Sequence, residues 1–136
     1  MPLIEWSPTL EIGIPEIDYQ HKNLVSMLNA LGTNIEEGAG KAVIGEVIEA
    51  LDAYVLTHFA SEERLMEKMG YEYIDEHKAE HHRLAETVQR HRAAYAKGEC
   101  SPQELLEFLI RWLLNHIAGA DSFIAEAWRR KNPVAQ

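Results

Sequence analysis

Residues 41–69 read KAVIGEVIEALDAYVLTHFASEERLMEKM. Apolar side chains recur at Ile44, Ile48, Leu51 and Val55, and the same alternation of four and three continues through His58, Glu62, Leu65 and Met69. Steps of four and three keep side chains on one face of a helix that packs in a bundle. An imidazole and a carboxylate therefore stand in a stripe that otherwise faces a core.

The pattern repeats on either side. Upstream it runs Ile17, His21, Leu24, Leu28, Leu31, Ile35; downstream it runs Ile74, His77, His81, Leu84, Val88, His91, Tyr95, then Leu105, Leu109, Trp112, His116. All five prolines (Pro2, Pro8, Pro15, Pro102, Pro133) stay out of these interiors, and Gly38, Gly40, Gly70 and Gly98 fall between them. Proline and glycine so placed mark the ends of helices. Ser101-Pro102-Gln103-Glu104 reads as an N-cap, a first-turn proline and an early acid. Four helices follow, at about 16–37, 41–69, 73–97 and 102–131, after an extended arm over 1–15 whose Trp6 packs on the bundle. Gly32 and Gly45 lie inside two of them, at a cost of roughly 1 kcal/mol each relative to alanine. Short loops between long helices predict an all-α, up-down-up-down antiparallel four-helix bundle. At 136 residues the chain fits one domain spanning 1–136.

Composition narrows the function. A net charge of −9 argues against nucleic acid or an anionic membrane as partner. Cys100 is the only cysteine, so neither an internal disulfide nor a thiolate-held metal cluster can form. No apolar run approaches the roughly 18 residues of a membrane span, and the first residues do not read as a secretory leader. A cytoplasmic protein is the expectation.

In the fourth helix the next polar candidate after His116 is Asp121, five residues on. On an ideal helix that step is about 140° off the face. The pattern then resumes at Ile124 and Trp128, as if one residue had been inserted, which predicts a π-bulge near Gly119.

In the up-down topology, the starts of helices one and three and the ends of two and four share one end of the bundle. At about 1.5 Å per residue, His21, Glu62, His58, His77 and His81 fall roughly 6 to 16 Å from that end, with Asp121 and His116 somewhat higher. His91 lies roughly 27 Å up and reads as a core or subunit-contact histidine, while His82, Glu63 and Glu80 sit about 100° off the seam and read as solvated. Cys100 reads as an incidental thiol. Five imidazoles and two carboxylates meeting in an apolar core each cost free energy unless paired, and cations satisfy both kinds of group at once. Seven protein ligands exceed one tetrahedral ion and suit two metals with carboxylate bridges. Ligand hardness alone admits iron, manganese or zinc.

Four motif pieces, Asp18-Tyr19-Gln20-His21, His58-Phe59-Ala60-Ser61-Glu62-Glu63, His77-Lys78-Ala79-Glu80-His81 and His116-Ile117-Ala118-Gly119-Ala120-Asp121, resemble the hemerythrin family, in particular its single-domain bacterial members, along the whole chain. The resemblance implies two iron ions with an oxo or hydroxo bridge. One would be held by His77, His81 and His116, the other by His21 and His58, with Glu62 and Asp121 bridging. It also implies that the second iron takes up dioxygen reversibly in an apolar pocket, to whose walls Leu24, Trp112, Leu113 and Ile117 are assigned by matching position. The expected function is oxygen storage, delivery or sensing, not catalysis, with an oxygen-requiring enzyme as a conceivable recipient and no oligomeric state implied. The alternative is a di-iron enzyme or stress protein acting on nitric oxide, peroxide or iron, but ferritin-like di-iron enzymes use Glu-x-x-His pairs and carboxylate-rich sites.

Overall fold

The computed structural model describes residues 4–6, 10–99, 101–116, 119 and 121–131. Among the described residues five α-helices form in order: α1 (Pro15–Glu36), α2 (Lys41–Met69), α3 (Ile74–Ala96), α4 (Pro102–His116) and α5 (Ser122–Lys131). No strand occurs among the described residues. Helix α1 packs on α2 and α4, and α3 packs on α2 and α4, so the four rods stand as the corners of a square with each neighbour antiparallel.

Local chemistry sets the helix ends. Pro15 opens α1, and the Asp18 carboxylate accepts the backbone N–H of Ile12 at 2.8 Å and of Gly13 at 3.1 Å. Gly70 ends α2 in the left-handed region at φ +65°, a conformation that glycine enters without steric cost. Its N–H reaches Glu67 O while Tyr71 N–H reaches Met66 O, which turns the chain sharply into α3 at the end of the bundle that carries His58 and Glu62. Ser101 Oγ accepts the Glu104 N–H at 3.1 Å and caps α4 as the sequence predicts.

Between α4 and α5 the winding of the fourth rod changes. The stretch 102–131 divides into α4 and α5, and Gly119 and Asp121 between them have π-helical backbone. This is the wider turn required by the five-residue step from His116 to Asp121.

Part of the arm is tied to the bundle. Ile4 is buried, its N–H donates to Asn29 Oδ1 at 3.0 Å, and Asn29 Nδ2 donates to Ile4 O at 2.9 Å. Arg129 Nη1 donates to Ile12 O at 3.1 Å, and Trp6 packs partly buried against the core. Among the described residues, no helix is long and apolar enough to cross a membrane.

Candidate metal centre

The core is aliphatic through most of its length and becomes polar in one layer. His21 near the start of α1, His58 and Glu62 near the end of α2, His77 and His81 at the start of α3, His116 at the end of α4 and Asp121 in the π-helical turn are all buried there. The turn matters because it brings Asp121 back onto the face of His116, with Oδ1 lying 3.0 Å from His116 Nε2.

The two carboxylates divide their oxygens between two sets of imidazoles. Glu62 Oε1 lies 3.4, 2.9 and 3.4 Å from the Nε2 atoms of His77, His81 and His116. Its Oε2 faces His58 at 3.4 Å and His21 at 3.8 Å. Asp121 Oδ1 is 3.5 Å from His77 Nε2 and shares the same side with His116, while Oδ2 is 2.7 Å from His21 Nε2. Two groups of donor atoms result, each within a span of 4.8 Å: Glu62 with His77, His81 and His116, and His21 with His58, Glu62 and Asp121. Donors bound to one ion at about 2.0–2.2 Å stand at most about 4.4 Å apart, so each group has nearly the size of one coordination sphere.

The angles point the same way. His21 Nε2, His58 Nε2, His77 Nε2, Glu62 Oε2 and both Asp121 oxygens are buried and make no hydrogen bond among the described residues, although the nearest approach among them is 2.7 Å. Buried polar atoms left in this state are costly. Atoms brought close at angles that do not suit a hydrogen bond fit a pair of shared cations.

Protons and cations compete for these atoms. Burial alone would raise Glu62, but the imidazoles of His116, His77 and His81 crowded against its carboxylate hold it well below the usual carboxylate range. Burial and Glu62 also push Asp121 upward, yet His116 and His21 bring it below its ordinary value. Burial would lower His77, but the Asp121 and Glu62 carboxylates facing its ring lift it to about 9, and the same two carboxylates raise His116. In His58 burial prevails over the pull of Glu62, and its pKa falls to about 4.

Of the residues expected to line a dioxygen pocket, Leu24, Trp112 and Leu113 are buried, and Ile117 lies outside the described residues, as does Cys100. The Trp112 ring stacks over His116 with centroids 5.6 Å apart. His82 is exposed and pairs with Glu86 at 2.8 Å, and His91 stacks on Phe108 at 4.8 Å, away from the cluster.

Two expectations need correction. Glu63 and Glu80 are not solvated bystanders: Glu63 Oε2 lies 2.8 Å from His81 Nδ1, and Glu80 Oε1 lies 3.4 Å from His116 Nδ1. Gln20 Oε1 does the same for His58 Nδ1 at 2.7 Å. Each of the three stands one place from a seam residue and reaches across to the next helix, a direction that a within-helix period does not report. Phe59 was also missed; its ring stacks on His81 at 3.9 Å and meets Trp112 edge-on at 5.6 Å. Its position directly after His58 is the one cue in the sequence.

An open groove of about 760 Å³ reaches the cluster from the side of α3 and α5, where its walls include Tyr73, His77, Glu80 and Phe123. His21, His58 and His81 are not among its described walls.

The family model described as the hemerythrin HHE cation binding domain matches residues 12–127. The bacteriohemerythrin of Stenotrophomonas maltophilia is 40% identical over 126 residues, which cover 93% of this chain and 82% of that protein. The bacteriohemerythrin of Methylococcus capsulatus is 36% identical over 124 residues, covering 89% of this chain and 93% of that one. A crystal structure of wild-type hemerythrin superposes with a TM-score of 0.82 at 32% identity, over 92% of this chain and 97% of that one.

Proposed function

This chain belongs to the hemerythrin family, and from that premise we propose that it binds dioxygen reversibly at a non-haem di-iron centre, in storage, delivery or sensing. His77, His81 and His116 would hold one iron and His21 and His58 the other, with Glu62 and Asp121 bridging. When bound, the iron pair supplies the electrons that dioxygen accepts and returns.

The observation that carries this reading is the split of both carboxylates. Glu62 and Asp121 each turn one oxygen toward the three-imidazole group and the other toward the two-imidazole group. A single-ion site gives no reason for both acids to span two donor sets. The unequal numbers of imidazoles favour one filled ion and one with a free position for a small ligand.

The chain's own residues have three further tasks. Trp112, Leu113 and Leu24 form apolar walls that keep water from the ligand position, which favours release of dioxygen over its conversion. The groove touches the cluster from the His77 side, so water comes nearest to the group that needs no open position. The donor set itself, rich in neutral imidazoles, supports carriage over catalysis. We place the protein in the cytoplasm, with dioxygen as its partner.

The test is metal analysis combined with visible spectra of the purified chain under air and under argon. Two irons per chain with a charge-transfer band that vanishes on deoxygenation and returns on re-aeration is the expected result. Steady turnover of peroxide or nitric oxide, with no reversible band, would favour the stress-protein reading instead.

A further inference from the structure

The groups behind the imidazoles are as unequal as the imidazoles themselves. A ligating histidine is oriented by whatever accepts its other ring N–H, and an anionic acceptor makes the ring a stronger donor than a neutral one does. On the three-imidazole side two of the rings have carboxylate acceptors, Glu63 on His81 at 2.8 Å and Glu80 on His116 at 3.4 Å. On the two-imidazole side the acceptor for His58 is the neutral amide of Gln20, at 2.7 Å, and His21 Nδ1 is buried with no hydrogen-bond partner among the described residues.

Resting on the di-metal reading above, we propose that Glu63 and Glu80 are positioning residues that make the His77/His81/His116 half of the centre the tighter and first-filled one, while Gln20 leaves the other half weaker. Charge supports this. Glu62 and Asp121 neutralise only half the charge of two divalent cations, and Glu63 and Glu80 supply negative charge at one remove, on one side alone. Both outer carboxylates are partly exposed, at 30% and 37%, so each can be replaced without opening the core.

The experiment titrates the metal-free full chain with Co(II) against a competing chelator and follows the cobalt d–d bands. Wild type is expected to bind two ions in separate steps. Repulsion between the ions separates the steps by itself, so the variants decide. Glu63→Gln keeps an acceptor for His81 and removes its charge; it should weaken the first step by about tenfold and leave the second in place. Glu80→Gln should do the same to a smaller extent, because its contact is longer. Gln20→Glu should strengthen the second step and narrow the gap. Thermal unfolding of each metal-free variant separates these effects from loss of fold. If Glu63→Gln and Gln20→Glu, both folded, leave the two steps unchanged, or if Glu63→Gln weakens both steps equally, the proposal is overturned while the metal-centre reading stands. A wild-type chain that binds no cobalt overturns that reading and this proposal with it.

Discussion

The two halves of the cluster are built from different pairs of helices and differ in donors and in surroundings. Helix α3 and the end of α4 bring three imidazoles onto Glu62 Oε1, beside a groove that opens to solvent at His77 and Glu80. Helices α1 and α2 bring two imidazoles, His21 and His58, onto Glu62 Oε2, and both rings are almost fully buried. Donor number governs how firmly an ion is held, and the surrounding wall governs what else can reach it. The half with fewer donors is the one shielded from water, an arrangement that suits a site meant to receive a small apolar molecule.

Removing Glu62, which faces all five imidazoles, should have the largest effect. Glu62→Ala takes one oxygen from each donor group and leaves five buried imidazoles without their shared acceptor. Metal content is expected to fall from about two ions per chain to almost none. Retention of even one firmly bound ion, measured by elemental analysis after dialysis, would show that the halves do not depend on a common bridge.

Removing one member should then separate them. His58→Ala strips the two-imidazole half to a single ring and should leave about one ion per chain, with a bundle less stable than the loaded wild type. His81→Ala should cost the other half its ion. If both substitutions give the same partly loaded protein with the same spectrum, the two-group description fails.

The walls offer a finer probe. Leu113→Ala empties a fully buried position and should cost about 2–5 kcal/mol of stability. Admitting water beside the ligand position should also shorten the lifetime of the oxygenated form. An unchanged autoxidation rate, with the expected loss of stability, would make Leu113 a packing residue and nothing more.

How much of this could be read beforehand depended on direction. The stripes of four and three run along the helix axes, so the burial of His21, His58, Glu62, His77, His81 and His116 follows from the same spacing as that of Leu24, Leu28 and Leu51. Toward helix ends the strict repeat drifts. Met66 is fully buried where the stripe predicts Leu65, because a straight helix departs by about 20° per heptad from a seven-residue period. Asp121 could be found only by noticing a broken step. Contacts that run across the bundle leave no period at all. Glu63 and Glu80 belong to that class, and so does Asp52, a buried acid on α2 held by Arg92 at 2.8 Å and Gln89 at 2.7 Å from α3.

Protons give the smallest and most graded test of the difference between the halves. In the metal-free protein His77, on the three-imidazole side, is raised from 6.5 to about 9, so its contribution to stability is complete below pH 6.5 and is lost as pH rises through 9. His58, on the other side, is lowered to about 4, so the unfolded chain takes up its proton first on acidification and stability falls as pH drops from 6.5 toward 4. The two slopes have opposite signs and meet near pH 6.5, where chelator-stripped protein should show its highest denaturation midpoint. An ion bound by His77 must displace the proton held there, so occupation of that half should release protons and tighten as pH rises from 6.5 to 9. Over the same interval His58 is already neutral, and binding at its half should change less. His77→Gln should make the alkaline arm of the stability profile shallower, with raised His116 carrying the remainder, and leave the acid arm in place; loss of both arms together would mean that the imidazoles of the two sides titrate as one unit and that the halves are not electrostatically distinct.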